Sequence, residues 1–351
     1  MTTKKLALLG ASHIHTPGFV DVLAARTDVS VAAVWDPDPA IATKYAARFQ
    51  CRAAPDPATV LGTPDLDAVV VLSQTNRHEE LVRQIARAKK HCFVEKPLGI
   101  GLADARNMMQ TLDAADVIFH MGYFNRTIPA HRLLKRLIAD AAFGQISRMR
   151  LVFGSPAAIN GIFRGDWEWM ADPNQAGVGA FGDLGTHKLD LLLFLIGETA
   201  RLEAVTAAFS RPIGRYPQGE ECGEAILHFD NGTIATLAAS WVDHIEPSSL
   251  LITGTEGHAV IRNAPGMPHN DWDNELYLLT DAVDGATGKE PWTDLPAALP
   301  RPLEQFIDAV VRGAGNNLVS VREAAYSSYV MEMISQAAAE RRWLPIDPEA
   351  L

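Results

Sequence analysis

The first third of the chain alternates short apolar runs with stretches of helical periodicity. Apolar runs that predict buried strands cover residues 6–9, 29–35, 68–72, 91–94 and 117–121. Between them, apolar positions recur at helical spacing over residues 40–49, 77–88 and 102–114. Continuous Val, Ile and Leu runs that alternate with helices are typical of a parallel sheet covered on both faces. We therefore predict an α/β amino-terminal domain with a parallel, doubly wound sheet over residues 1–121.

The pattern changes after residue 121, where strands begin to follow one another without helices. The predicted elements are a helix at 129–139, a strand at 146–153, a loop at 154–182, a helix at 184–196, strands at 202–210, 225–229, 234–241, 250–253, 259–261 and 276–279, and helices at 303–311 and 321–341. Asp230-Asn231-Gly232 is a strong hairpin signal. Residues 122–351 are thus predicted to form an α+β carboxy-terminal domain with a large, mostly antiparallel open sheet. The last helix can pack back on the first domain.

Composition and charge exclude several classes of partner. The chain has 351 residues, a length that suggests two domains, and 48% of them are hydrophobic. A formal net charge of −11 argues against a nucleic-acid partner, because such a surface needs a basic patch. No apolar run reaches the roughly 18 residues that a membrane span requires, so no membrane partner is expected. The three cysteines are far apart and form no CxxC pair, which favours a reducing, cytoplasmic location.

A nucleotide site is predicted after the first strand. The loop keeps Gly10 of the pattern G-x-G-x-x-G but has Ser12 and His15 at the other two glycine positions. Asp36 lies 26 residues after Gly10 at the end of the second strand, where a carboxylate can accept hydrogen bonds from both ribose hydroxyls. The alternative is that Asp36 is a turn residue before Pro37. No arginine follows to neutralise a 2′-phosphate, so NAD is favoured over NADP.

His13 and His15 form an H-x-H pair in the same loop. On an extended chain both imidazoles would lie on one side, as in many metal sites. No third ligand lies nearby in sequence, and we therefore predict no metal. The alternative interpretation is that one imidazole caps the helix or forms hydrogen bonds near the pyrophosphate or the nicotinamide.

Two polar constellations are candidates for catalysis. Glu95-Lys96-Pro97 ends an apolar strand, at the edge of a parallel sheet where ligands bind, and an ammonium there can orient a hydroxyl or polarise a carbonyl. Asp183 and His187 are four residues apart and would share one helix face. In such a pair the carboxylate fixes the imidazole tautomer and the imidazole moves a proton near neutral pH. The alternative is an N-cap Asp beside a surface His.

These stretches together resemble the Gfo/Idh/MocA oxidoreductases, which include glucose–fructose oxidoreductase and inositol dehydrogenases. The matching stretches, in the family's order, are residues 67–72 with Ser73 and His78, Glu95-Lys96-Pro97, residues 122–126 with Pro129, residues 179–190, and residues 254–257. The resemblance implies an amino-terminal Rossmann domain and a carboxy-terminal domain with a large open sheet. It also implies NAD(P)-dependent chemistry on a sugar or polyol, and a homodimer or homotetramer formed through that sheet.

The resemblance further implies roles for the matching residues. Lys96 contacts the reacting oxygen, His187 is the acid/base, and Asp183 pairs with His187 or contacts the substrate. Together with the nucleotide loop, the cofactor-binding residues are Gly10, Ser12, His13, Ile14, Asp36, Ser73, Gln74, Asn76, His78, Glu95, Lys96 and Arg126. The substrate-binding residues are Lys96, Tyr123, Arg164, Trp167, Asp183 and His187.

Several of these roles have structural alternatives. Trp167 can be a packing residue of its loop, and Arg126 can belong to a structural ion pair. The chain also departs from the family pattern, because Gln74 replaces a proline and Ala180 interrupts a glycine run before Asp183.

The predicted function is hydride transfer between NAD and a carbinol or ketone carbon of a sugar or cyclic polyol. Lys96 stabilises the oxygen and His187 moves the proton. One alternative is an NAD-dependent glycosidase that oxidises its substrate transiently, which would need an additional base. The other is a non-catalytic NAD-binding regulator.

Overall fold

The amino-terminal sheet has six parallel strands in the order β3-β2-β1-β4-β5-β6. The structure is a computed structural model that describes residues 3–244, 248–262, 274–313 and 317–351. The strands are β1 (Lys4–Leu9), β2 (Val29–Trp35), β3 (Arg52–Ala53), β4 (Leu66–Val71), β5 (His91–Val94) and β6 (Phe119–Met121). The parallel sheet and all five predicted strands are confirmed. Strand β3 was not predicted, because its two residues are exposed and carry no apolar signal.

Helices cover both faces of this sheet. They are α1 (Thr16–Ala25), α2 (Pro39–Phe49), α3 (Pro57–Leu61), α4 (His78–Arg87) and α5 (Gly101–Ala115). Alternate strand residues point to opposite faces. Leu8 packs in one cluster with α1 and α2, whereas Leu9 packs in another with α4 and α5. Helix α1 was not predicted, and Pro17 and Gly18 interrupt its apolar periodicity.

The second sheet has eight strands in the order β13-β12-β11-β7-β10-β9-β8-β14. These strands are β7 (Ile146–Gly154), β8 (Leu202–Ser210), β9 (Cys222–Phe229), β10 (Ile234–Ser240), β11 (Ser248–Gly254), β12 (Gly257–Arg262), β13 (Glu275–Thr280) and β14 (Leu344–Pro345). Its pairings are antiparallel except β7 with β10. The predicted mostly antiparallel sheet and the hairpin at Asp230-Asn231-Gly232 are therefore confirmed.

The helices of this half pack against both sheets. They are α6 (Pro129–Ala139), α7 (Ala157–Asn160), α8 (Pro173–Ala176), α9 (Thr186–Ile196), α10 (Pro302–Arg312) and α11 (Val321–Glu340). Helix α10 packs with the first sheet, whereas α6, α9 and α11 pack on one face of the second sheet. Leu134, Leu192 and Ile334, from α6, α9 and α11, share one buried cluster with the sheet. The opposite face carries exposed apolar side chains such as Ile226 and Ile234. Residues at the start of α11, Ala324 and Ala325, pack instead with the first sheet, so this helix joins the two halves.

Two segments differ from the sequence prediction. The predicted loop at 154–182 contains α7, a 3₁₀ helix at Gly165–Ala171 and α8. The predicted helix that begins at residue 184 starts instead as a π-helix over Phe181–Gly185 and continues as α9. A π-helical turn holds more residues than an α-helical turn, and such turns often occur at functional sites. The four-residue spacing of Asp183 and His187 therefore does not by itself place them on one face.

A buried ion pair joins α9 to α11. Arg126 donates to Asp190 on α9 at 2.7 Å and to Glu323 on α11 at 2.5 Å, and its guanidinium also reaches the Leu318 carbonyl oxygen at 2.8 Å. Arg126 and Asp190 are almost fully buried. Arg126 therefore belongs to a structural ion pair, as the alternative interpretation of the sequence stated. A contact between Arg126 and the cofactor stays a prediction.

We expect Arg126→Ala to lower the free energy of unfolding by about 3–5 kcal/mol, because it leaves the buried Asp190 charge without its partner. Urea denaturation followed by circular dichroism measures this change. The control is Arg201→Ala, whose pair with Asp230 at 3.0 Å is largely exposed, so its loss should change the free energy of unfolding much less. Equal losses in the two variants would contradict the structural role of Arg126.

Candidate active site

The Gly10 turn places the nucleotide loop directly on the end of β4. Gly10 has φ +84°, and its N–H donates to the Trp35 carbonyl oxygen at 2.7 Å. A Cβ at this position would lie 2.4 Å from Ser73 Cα, which is closer than real contacts allow. The chain keeps glycine here because the backbone itself fills the space. A dinucleotide needs such a cradle, in which backbone amides approach the pyrophosphate.

Asp36 is buried at the end of β2 and supports the same loop. Its carboxylate accepts the Ala11 N–H at 2.7 Å and the Asp38 N–H at 2.9 Å. Burial raises the pKa of this carboxyl group, although the two backbone donors act against that shift. Asp36 therefore stabilises the turn before Pro37, which was the alternative to a cofactor role. Its contact with the ribose hydroxyls stays a prediction.

Ser73, Asn76 and His78 are further residues predicted to bind the cofactor. Ser73 is buried beside Gly10, and the side-chain amide of Asn76 donates to the Asn174 carbonyl oxygen at 3.1 Å. The His78 ring is buried, and its Nδ1 lies 3.1 Å from the carbonyl oxygens of Pro97 and Leu98. His78 thus holds the segment that follows β5, and burial lowers the pKa of its imidazole.

Lys96 and Asp183 form a buried ion pair at the carboxyl end of β5. The ammonium Nζ donates to Asp183 Oδ1 at 2.8 Å and to the Asp183 carbonyl oxygen at 3.1 Å. The other carboxylate oxygen accepts a hydrogen bond from Trp241 Nε1 at 3.1 Å. The structure therefore brings together two of the three predicted catalytic residues. Sequence analysis missed Trp241, whose one signal was an aromatic side chain at the end of a predicted strand.

His187 lines the same cavity as this ion pair. The cavity has a volume of about 270 Å³, and Ser155, Phe163 and Trp241 also line it. The imidazole is buried among aromatic rings, with centroid distances of 5.0 Å to Phe124 and 6.1 Å to Phe153. A lysine, a carboxylate and an imidazole thus meet around one small space. Both Asp183 oxygens have the partners given above, and direct pairing of Asp183 with His187 stays a prediction.

The other predicted substrate residues lie outside the described lining of this cavity. Tyr123 is buried, and its hydroxyl lies 2.8 Å from Thr186 Oγ1 at the start of α9. Burial raises the pKa of the Tyr123 phenol. Arg164 is exposed, and Trp167 is partly buried against the cluster that contains Trp241. Substrate contacts of these residues stay predictions.

A segment of the second half crosses the predicted cofactor cleft. Trp169 Nε1 donates to the Ser12 carbonyl oxygen at 3.0 Å, next to the nucleotide loop. Lys44 on α2 pairs with Asp166 at 2.9 Å. These contacts join residues more than one hundred positions apart, so sequence analysis could not find them. They place an aromatic wall, Trp169, opposite His13 at a ring distance of 5.8 Å.

The structure brings Glu95 to the H-x-H pair as a third group of ligand type. Ligand atoms of His13, His15 and Glu95 lie within 4.8 Å of one another. Each imidazole, however, already uses its Nδ1 within the protein. His13 Nδ1 accepts the His15 N–H at 3.1 Å, and His15 Nδ1 lies 3.0 Å from Glu95 Oε1. A metal ion at these two nitrogens would break both contacts, and the absence of a metal here stays a prediction.

Comparison with known proteins identifies the family. Residues 4–123 match the family described as "Oxidoreductase family, NAD-binding Rossmann fold". Residues 131–260 match the family described as "GFO/IDH/MocA C-terminal domain". The chain belongs to the Gfo/Idh/MocA oxidoreductases. The predicted resemblance, the enzyme class and NAD as cofactor are confirmed by this membership, and the glycine cradle at Gly10 fits a dinucleotide.

The relatives are named as enzymes that act on sugars and cyclic polyols. The chain is 30% identical to 1,5-anhydro-D-fructose reductase from Ensifer adhaerens, over 66% of this chain and 75% of that enzyme. It is 31% identical to myo-inositol 2-dehydrogenase from Thermotoga maritima, and this alignment spans about half of each protein, 53%. These matches agree with the order of motifs along the chain.

Solved structures show the same fold over nearly the whole chain. GenD2 from gentamicin A biosynthesis, in complex with NAD, superposes with a TM-score of 0.79 and 25% identity over 99% of this chain and 97% of that one. Levoglucosan dehydrogenase, in complex with NADH and levoglucosan, superposes with a TM-score of 0.76 and 20% identity over 99% and 100%. In the described part of this chain, no helix has the length and apolar character needed to cross a membrane.

We expect Gly10→Ala to lower NADH affinity at least tenfold, because the new Cβ would push the loop away from Ser73. Titration of NADH fluorescence measures the affinity. Gly232→Ala is the matched control, since Gly232 has φ +83° but no atom within 4 Å of a built Cβ. That variant should lose about 1–2 kcal/mol of stability from backbone strain alone and keep its NADH affinity. Unchanged NADH affinity in Gly10→Ala would contradict the cradle.

Proposed function

We propose that this protein is an NAD-dependent dehydrogenase or reductase that transfers a hydride at a carbinol or ketone carbon of a sugar or cyclic polyol. The observation that carries the proposal is the cavity of about 270 Å³ that Lys96, Asp183 and His187 line together. Its volume lies near the lower end of ligand pockets, which suits a single ring. Bound NAD supplies the hydride acceptor at its nicotinamide ring.

Lys96 is placed to stabilise the reacting oxygen. During hydride transfer, negative charge develops on that oxygen, and a preorganised donor in a buried site lowers the barrier. Asp183 holds the ammonium in position, because its Oδ1 accepts a hydrogen bond from Lys96 Nζ at 2.8 Å. Trp241 in turn holds the Asp183 carboxylate by donating to Oδ2 at 3.1 Å. A lysine ammonium has three donor hydrogens, so Lys96 can bind Asp183 and the substrate oxygen together.

His187 is the candidate for the proton transfer. Imidazole exchanges protons near neutral pH, and His187 reaches the same cavity from the first turn of α9. The rings of Phe124 and Phe153 hold its orientation. In oxidation the imidazole would take the hydroxyl proton while Lys96 stabilises the oxygen, and in reduction it would return that proton.

The names of the relatives support the substrate class and favour neither alternative function. They are dehydrogenases and reductases of inositol, anhydro sugars and deoxysugars. A glycosidase or a regulator therefore has no specific observation in its favour.

For the assembly, we propose a cytoplasmic homodimer or homotetramer formed through the open face of the second sheet. The exposed Ile226 and Ile234 on β9 and β10 support that interface.

Turnover by Lys96→Ala and His187→Ala tests the assignment. A screen of inositols, aldoses and anhydro sugars for NAD reduction first supplies the substrate. We expect kcat to fall at least 10²-fold in each variant, because each loses a contact to the reacting oxygen or its proton. NADH affinity, measured by fluorescence, should change by less than about threefold, since the nucleotide loop is untouched.

The control for this pair is Lys5→Ala, which removes an exposed ammonium at the opposite end of β1. It should leave kcat and NADH affinity unchanged. Wild-type turnover in both Lys96→Ala and His187→Ala would refute the proposed chemistry.

A further inference from the structure

The reaction cavity has one ionisable wall residue with wide access to solvent. Four ionisable side chains line it, among the described residues: His15, Lys96, Asp183 and His187. Lys96 and His187 are nearly fully buried, and the Asp183 side chain is 16% exposed. The His15 side chain is 43% exposed. His15 is thus the ionisable group of this lining with the largest contact with solvent.

Glu95 sets the orientation of the His15 ring. Glu95 Oε1 lies 3.0 Å from His15 Nδ1, and the Glu95 side chain is only 1% exposed. A carboxylate can only accept, so Nδ1 carries the hydrogen and Nε2 of the neutral ring keeps its lone pair. Glu95 Oε2 has no protein hydrogen-bond partner within the described residues. The Glu95 carboxylate thus fixes which nitrogen of the His15 ring carries the hydrogen.

His15 also stands between two cavities. It lines the reaction cavity and a larger one of about 480 Å³, and Ile14 and Phe124 are lining residues of both. The larger cavity runs between α1 and the start of α10, where Phe19 and Leu303 form part of its wall. His15 is the N-cap residue of α1, but its side chain makes no capping hydrogen bond. The ring is therefore available for another task.

We propose that His15, oriented by Glu95, carries the proton of the reaction between the cavity and solvent. The inference rests on the proposed function. In oxidation the C–H and O–H bonds of the carbinol break and a C=O bond forms, while bound NAD would accept the hydride and His187 the proton. From His187 it passes through cavity water to His15 Nε2, where an N–H bond forms, and then to bulk water. In reduction the proton follows the same path inward.

Several charged or titratable groups face His15. The His13 ring lies 4.7 Å away, and the pKa of His13 is well below its usual value, first because of burial and then because of His15 and Lys96. Lys96 faces His15 across the reaction cavity, and Arg301 and Glu304 line the larger cavity. Since His13 stays neutral, Glu95 is the charged group in direct contact with the ring.

The kinetic test uses His15→Ala with the substrate found in the screen. We expect kcat for oxidation to fall about tenfold or more, with a larger solvent isotope effect, because proton release becomes limiting. Added imidazole should restore most of the rate, and NADH affinity by fluorescence should change less than about threefold. The substitution removes no helix cap, so the fold is expected to survive.

His228→Ala is the matched control. His228 forms an imidazole–carboxylate pair with Glu203 at 3.3 Å and is 44% exposed, but it lies on the second sheet away from the cavity. This variant should keep its rate and show no response to imidazole.

Nitrogen NMR of the protein without substrate tests the same pair independently of turnover. We expect His15 in the Nδ1–H tautomer, and Glu95→Leu, which has no acceptor for this hydrogen, should lose the fixed tautomer. An Nε2–H tautomer in the wild type would overturn the inference. So would a wild-type rate in His15→Ala, or a lost NADH affinity without imidazole rescue, which would make His15 a cofactor ligand.

The two proposals can fail separately. Full activity in Lys96→Ala and His187→Ala removes the proposed function, and with it the need for a proton path. Loss of activity in those variants combined with unchanged His15→Ala kinetics removes only the role of His15.

Discussion

The buried contact between Lys96 and Asp183 joins the two halves of this protein at the proposed reaction site. Lys96 follows the last residues of a parallel strand, and Asp183 lies 87 positions later in a π-helical turn of the second half. Removing two charges from water costs several kcal/mol per ion before their attraction compensates. Such a pair is a poor means of stabilising a fold. Its position in a cavity that the His187 imidazole also lines supports a role in the proposed reaction.

The surroundings of this contact explain how it is held. Trp241 binds the second carboxylate oxygen of Asp183, and Glu220 accepts the Phe181 N–H at 2.9 Å, at the beginning of the π-helix. Burial raises the pKa of the Glu220 carboxyl group, against the effect of the backbone N–H groups around it. The turn that carries Asp183 is thus tied to β10 and to the segment before β9. Preorganisation of this kind lets an ammonium act without rearrangement during the reaction.

The sequence predicts the fold and the polar ends of its strands well, because both signals are local. Apolar runs mark the parallel strands, and a charged tripeptide after β5 marks Lys96 at the ligand-binding edge. The partners of these residues depend on contacts between distant parts of the chain. Trp169 meets the Ser12 carbonyl across 157 positions, and His15 meets Glu95 across 80. The π-helix also escapes prediction, because it begins inside the predicted loop and two of its five residues are glycines.

The central claim is that Lys96 and Asp183 act as one unit on the reacting oxygen. A double-mutant cycle on the single-turnover rate of hydride transfer, with Lys96→Met and Asp183→Asn, tests it most directly. Because Asp183 acts by holding Lys96, its substitution should slow the wild type strongly and slow Lys96→Met little or not at all. Losses that simply add in the double variant would contradict the claim and make Asp183 an independent contributor.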